Sequence, residues 1–429
     1  MDIHVVRAGE TLYEIAQRYG VSPERLVFDN GLENPTRLVT GQTLVILYPE
    51  RSVTVQPGET LAAIAAREGV SVNQLLRNNY GLGGDVTVYP GQTIVIDYQQ
   101  QKQGLLSVNG YVYPFVDRDV LRQALPYLTY LTLFTYGFTS EGTLINLEDE
   151  GLIRLAREYG VAPLMHLSTL TSEGNFSSEL ANLLLNNPAM QERLIDQVLE
   201  VLRAKNYEGL DVDFEFVAPE NRQAYIDFIA RLTARLNPEG YIVVTALAPK
   251  TYSGQPGLLY EAHDYPGLGE ISNAVLLMTY EWGYSAGPPM AVAPLPNVRR
   301  VLDYAVAVID PQKIYLGMPN YGYDWPLPFI QGVTRAPSIG NVEAVDIAAR
   351  YGATILYDET AQAPHFNYFN EAWTEHEVWF EDARSIRAKL ALVPEYGLLG
   401  VGYWNLMRPF PQNWQVLNAL YDIRRGLPS

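Results

Sequence analysis

The stretch GLDVDFEFV, Gly209–Val217, sets three carboxylates, Asp211, Asp213 and Glu215, two residues apart in an apolar run. In a strand, successive side chains point to opposite faces. Asp211, Asp213 and Glu215 therefore share one face, and Val212, Phe214 and Phe216 share the other. One face needs a polar interior and the other an apolar cover. A strand of a parallel barrel has both, because helices pack on its outer face and its inner face lines the shaft. The acids then form a column rising about 6.5–7 Å per step, with Glu215 nearest the C-terminal mouth, where such barrels carry their sites.

The surrounding sequence supplies such a barrel. From Leu105 onward, strand-like runs alternate with helical ones. The strand-like runs are 106–112, 130–138, 161–168, 210–216, 241–248, 274–280, 313–322 and 398–404. Helical patterning fills the intervals, as in Pro188–Lys205, Asn221–Leu236 and Pro296–Ile309. Eight βα units predict an α/β fold, a (β/α)8 TIM barrel. A doubly wound sheet is the alternative, but the chain lacks a G-x-G-x-x-G fingerprint. The interval 322–381 is too long for one connection and contains ATILYDE, HFNYF and HEVWF. A small α+β insertion after strand seven is expected there.

The first hundred residues are a tandem repeat. Val5–Asn30 aligns with Thr54–Asn79, and GQTLVI, Gly41–Ile46, with GQTIVI, Gly91–Ile96. Each unit reads strand, GET turn, two helices, loop, strand: a βααβ module. Thr11 and Thr60 stand where an N-cap belongs, and Glu14 completes a capping box with Thr11. Leu12, Ile15, Ala16 and Tyr19 fall on one helical face. The expected organisation is 2–48 and 52–98 for the units, 99–104 for a polar linker, and 105–429 for the barrel.

Composition narrows the partners. The formal net charge is −18, which disfavours nucleic acid and anionic membrane surfaces. There is no cysteine, so disulfides and thiol chemistry are excluded. The start, MDIHVVRAGET, has neither a basic nor an apolar leader region, so no signal peptide is expected. No apolar run is long enough for a membrane span. All six Trp lie between Trp282 and Trp414, which suits a sugar cleft, since pyranose rings offer C–H faces to aromatic planes.

Buried like charges push at least one carboxyl pKa upward, and a carboxyl that keeps its proton near neutrality is what a general acid needs. Glu215 is the candidate acid, with Asp213 below it as the modulator. A D-x-D-x-E could also hold Mg²⁺ or Ca²⁺. No further Asp, Glu or His cluster completes a coordination sphere, and the five His are scattered, so neither metal nor cofactor is expected.

EGLDVDFEFV resembles the D-G-x-D-x-D-x-E signature of glycoside hydrolase family 18, the chitinase-like family. LLMTYEWG, Leu276–Gly283, resembles its strand-six segment, and GVGYWNL, Gly400–Leu406, its strand-eight segment. The repeats resemble LysM domains in their V-x-x-GET-L openings and GQT-[LI]-x-I closing strands. The first resemblance implies a substrate-assisted, retaining hydrolysis. Glu215 would be acid and then base, Asp213 would orient the substrate acetamido group, Tyr280 would bond its carbonyl oxygen, and Asp211 would support Asp213. Trp404 would floor a sugar subsite, with Met278, Glu281, Trp282 and Tyr136 as further substrate contacts. The LysM resemblance implies glycan contacts at Gly9, Glu10, Thr11 and Leu12, and at Gly58, Glu59, Thr60 and Leu61. Glu208 replaces the signature's first Asp, Glu281 replaces the Asp after the strand-six Tyr, and HLSTL, His166–Leu170, lacks a Gly pair.

The arrangement is similar to spore cortex-lytic N-acetylglucosaminidases, also called spore germination proteins. It implies association with the spore or cell wall and action on peptidoglycan, and a monomer is expected. A chitinase or other endo-N-acetylglucosaminidase would use the same residues. A non-catalytic wall-binding protein is the reading from another class, against which Glu215 argues.

Overall fold

The computed structural model describes residues 1–99, 101–171 and 174–425. Gln100 of the linker, Ser172, Glu173 and 426–429 lie outside the described residues. Eight parallel strands close into a barrel: Leu105–Val112, Tyr130–Phe138, Ala162–Ser168, Gly209–Asp213, Ile242–Leu247, Ala274–Leu277, Ile314–Pro319 and Gly400–Trp404. Each pairs with its sequence neighbour, and strands eight and one pair to complete the ring. Six of the strands are shorter than the apolar runs suggested, while strand two has the expected extent and strand one starts one residue earlier. Strand four ends at Asp213 and strand six at Leu277, where the chain leaves the ladder to build the mouth.

The helix Pro188–Lys205 shows how local sequence sets the outer layer. Asn187 caps its start by accepting the Met190 N–H, proline occupies the first turn, and Arg203 and Lys205 oppose the dipole in the last. Asn206 ends it with a left-handed φ of 57°. Met190, Leu194, Ile195, Val198 and Leu202 bury one stripe. Fully burying a side chain of the Leu or Val class stabilises the fold by about 1.5–3 kcal/mol.

Between strands seven and eight lies a five-stranded antiparallel sheet, running from Gly322–Pro326 to Glu375–Trp379, with the helix Asn341–Tyr351 packed on it. The core of this insertion includes Ala344, Ala348, Phe366, Val378 and Phe380. Val39 of the first repeat belongs to the same core.

Each repeat is a two-stranded antiparallel sheet with two helices. Thr11 and Glu14 form the capping box. Asn30 explains the asparagine at the end of each second helix. Its Nδ2 donates to the Leu26 and Val45 carbonyls, and its Oδ1 accepts the Val45 N–H. Asn79 makes the matching set with Leu75 and Val95. The side chain thus ties the helix to the closing strand.

The repeats are docked rather than tethered. Ile355 N–H donates to the Thr40 carbonyl at 2.9 Å, and Arg37 to that of Ala349 at 2.7 Å. In the second unit, Asn73 donates to the Tyr159 carbonyl at 2.6 Å, and Arg77 to that of Pro126 at 3.1 Å. The connector is itself anchored at Lys102 and Gln103: Gln103 N–H donates to the Leu420 carbonyl at 2.7 Å, and Lys102 Nζ to that of Tyr421 at 3.2 Å.

Candidate active site

Strand four divides its faces as its alternation requires. Val212 and Phe214 point outward and are fully buried. Phe214 stacks between Tyr225 and Phe228 of the helix Arg222–Leu236, with centroids 5.8 and 5.7 Å away. Asp211 and Asp213 point into the shaft. Glu215 follows one step beyond the last ladder pair and is half-buried at the mouth. Phe216 departs from the expected outer face. Its φ of 55° turns the chain out of strand geometry, and its side chain is exposed.

The turn is held from behind. His263 accepts the Ala248 N–H at Nδ1, so its Nε2 carries the proton and donates to the Phe214 carbonyl at 3.0 Å. Burial depresses its pKa to about 4, so it stays neutral. That contact fixes the peptide immediately before Glu215.

Inside the shaft, Tyr111 of strand one donates to Asp211 Oδ2 at 2.5 Å. His166 of strand three sets Nε2 3.7 Å from Asp213 Oδ2, and its Nδ1 meets the Thr135 hydroxyl at 2.6 Å. Burial lowers the His166 pKa to about 4, so its contact with Asp213 is dipolar, not ionic. Burial raises Asp211 to about 6, with His166 and Tyr111 pulling the other way. Asp213 and Glu215 titrate together and both are pushed upward, chiefly by burial; for Glu215 the nearby Asp213 and Glu281 charges add to it. Among the described residues, Oδ1 of Asp211 and Oδ1 of Asp213 have no hydrogen-bond partner. The set therefore offers a proton at the mouth and a free acceptor one step below it.

The mouth is built after strands six to eight. Tyr280 is 9% exposed and lies across Gly317 of strand seven. A Cβ at Gly317 would come within 2.9 Å of the Tyr280 ring and 2.3 Å of the Leu277 carbonyl. Glu281, at φ 65°, accepts the Tyr321 hydroxyl at 2.5 Å and the Tyr323 hydroxyl at 2.9 Å. Trp404 ends strand eight against Phe134, 5.0 Å between centroids, and against Tyr113 at 6.0 Å. Trp404, Tyr113, Phe115, Glu281 and Arg408 line an open cleft of about 270 Å³. A larger cavity, about 400 Å³, lies at the seam between the first repeat and the insertion and contains none of these acids. The smaller cleft is bordered by Glu281 and Trp404, while Asp211, Asp213 and Glu215 are not among its lining residues.

Residues 109–408 match the model of glycosyl hydrolases family 18. The chain belongs to that family. Residues 4–47 and 53–97 match the LysM domain. The family 18 chain is 39% identical over 429 residues to the cortical fragment-lytic enzymes of Bacillus cereus and of Bacillus subtilis (strain 168), covering 99% of each chain. It superposes with TM-score 0.84 on the crystal structure of the Bacillus megaterium spore cortex-lytic enzyme SleL, at 38% identity and 99% coverage of both chains. It is thus a glycosidase carrying glycan-binding LysM units.

Several expected contacts of the family 18 chain are corrected. Tyr136 does not face the sugar cleft. The register of strand two shifts between Leu133 and Tyr136, which reverses the parity of its side chains. Phe134 stays inward, while Tyr136 is buried on the helix side, bonded to Asp149 and to Lys205. Leu12 and Leu61 are buried in the cores of their repeats and cannot touch a glycan. Glu10 and Glu59 build the turns, accepting the Arg7 and Gln56 N–H groups. Gly9 and Gly58 hold φ near 80° and stand open, and Thr11 and Thr60 cap the helices. Met278 and Trp282 are half-buried against the core. His166, read as one of five scattered histidines, lies beside Asp213. Among the described residues no group of three His, Cys, Asp or Glu is arranged to hold a metal ion, and no helix is long and apolar enough to cross a membrane.

Proposed function

We propose that the protein is a peptidoglycan N-acetylglucosaminidase of the spore cortex, working by substrate-assisted retention. The carrying observation is the pairing of a proton-holding Glu215 at the mouth with the partnerless Asp213 Oδ1 below it. Glu215 gives its proton to the glycosidic oxygen as the C1–O bond breaks. The carbonyl oxygen of the substrate's own 2-acetamido group forms the new bond to C1, giving an oxazolinium ion. Asp213 accepts the acetamido N–H and so aims the carbonyl, and the Tyr280 hydroxyl donates to that oxygen. Asp211 acts through Asp213 as a positioning residue. Glu215, now a carboxylate, takes a proton from water, whose oxygen bonds to C1 and opens the ring with retention. No second carboxylate nucleophile is needed, unlike the common two-carboxylate scheme.

The names of the full-length relatives support cortex peptidoglycan as the polymer and the spore as the place. Trp404 floors the subsite at the −1 sugar, and Glu281 with its two tyrosines borders it. The test compares soluble cortex fragments with chitin oligomers as substrates, reading products by mass spectrometry. The wild type is expected to yield fragments ending in reducing N-acetylglucosamine from cortex material. Glu215→Gln is expected to lose about 10²–10⁴-fold in rate. Full hydrolysis by that variant would overturn the mechanism, and a preference for chitin oligomers would overturn the substrate.

A further inference from the structure

The two repeats share one framework, and the barrel treats them differently. In the first, Gly41 N–H donates to the Val6 carbonyl at 2.8 Å and Val6 N–H to that of Gln42 at 2.8 Å. In the second, Gly91 pairs with Val55 at 2.9 Å and Val55 with Gln92 at 2.9 Å. Val39 N–H donates to Gln42 Oε1 at 3.0 Å, and Tyr89 N–H to Gln92 Oε1 at 3.1 Å. The end of the loop before the closing strand, 39–42 and 89–92, therefore makes the same turn in both units. In both it lies beside the opening turn, which follows directly on Val6 or Val55.

What covers that loop differs completely. Val39 is 5% exposed and packs in the core of the insertion. A Cβ on Gly41 would stand 1.8 Å from the Ile355 carbonyl oxygen. At the matching positions of the second unit, Tyr89 is 67% exposed and Gly91 has no neighbour within 4 Å. Val86, on the same loop, is 56% exposed. The second unit docks on the barrel through its helix and through Gly84 at the start of this loop, and the loop farther on, at Val86, Tyr89 and Gly91, stays uncovered.

We infer that the pair is functionally asymmetric: the second unit is the one that grips glycan, and the first is a structural strut. This deepens the proposed function and rests on its glycan-targeting part. The occupant is a neutral sugar chain. Tyr89 offers a planar apolar face for the C–H side of a pyranose, and Gly58 of the opening turn and Gly91 both have no neighbour within 4 Å. A chain of net charge −18 does not suit a polyanion there. In the first unit the same edge is filled by the insertion, so only its opening turn remains open.

The test is co-sedimentation of the full-length protein with purified peptidoglycan sacculi. Tyr89→Ala is compared with Tyr13→Ala, which removes the exposed aromatic beside the opening turn of the first unit. Both side chains lie at the surface, and unchanged melting temperatures will show that both variants fold. Tyr89→Ala is expected to weaken retention by about tenfold, the scale of one lost ring-stacking contact. Tyr13→Ala is expected to retain wild-type binding. Equal losses in the two variants, or full retention by Tyr89→Ala, would overturn the asymmetry. A wild type that does not sediment would overturn the glycan-targeting reading beneath it, while its hydrolysis of soluble fragments reports the catalytic reading separately.

Discussion

Asp211 has no solvent exposure, and burial lifts its carboxyl from 3.8 to about 6. The folded state thus holds this proton more tightly than the unfolded chain. The stability it contributes is complete below about pH 4 and is lost as pH rises through about 6, a change on the order of 3 kcal/mol. His166 works in the opposite sense: its depressed value makes stability fall as pH drops from 6.5 toward about 4. Asp211→Asn should remove the first effect and leave the second. Urea unfolding of wild type and variant across that window reads the difference directly, and parallel pH profiles would contradict it. For catalysis, the raised Asp213–Glu215 pair keeps the acid form, so the rate should fall on the alkaline side as that proton is lost. A pH–rate profile of kcat checks this, and a rate undiminished at alkaline pH would count against Glu215 as acid. The three acids were legible because a period of two sorts them onto one face. Tyr111 and His166 were not, because each reaches the site from another strand and only register brings them together. A signal existed for His166: Leu164, His166 and Ser168 alternate on the inward face of strand three.

At the scale of elements, the outer face of strand four anchors what the inner face does. Phe214 is clamped between two rings and its carbonyl is held by His263, so Glu215 inherits its position from both. Phe214→Ala should cost about 3–5 kcal/mol, measured by chemical denaturation. Phe214→Leu should recover much of that, and a cost below about 1 kcal/mol for the alanine would show that the clamp is slack. The eight strands and the insertion could be read from apolar runs and their spacing. The shift in strand two could not. Nothing in YLTLFTYGF marks the irregularity, which turns Tyr136, expected as a substrate contact, to the helix side.

At the scale of the molecule, the seam between repeat and insertion is carried by non-local contacts, which is why the repeat was plain in sequence and its docking was not. Gly41 and Gly91 isolate the seam. Both sit at φ 88°, so alanine strains the backbone equally at either. Only at Gly41 does the added methyl strike a neighbour. Gly41→Ala should therefore lower thermal stability by about 1–3 kcal/mol more than Gly91→Ala. Equal losses would mean that the seam yields freely.

The anchoring of Lys102 and Gln103 has a further consequence. A flexible tether lets a captured enzyme sweep a sphere of polymer whose radius grows with the length of the leash. Here the leash is stitched down, so grip and blade turn together as one particle. Lengthening the connector would not widen the territory searched after each landing. The enzyme must let go to reach the next bond.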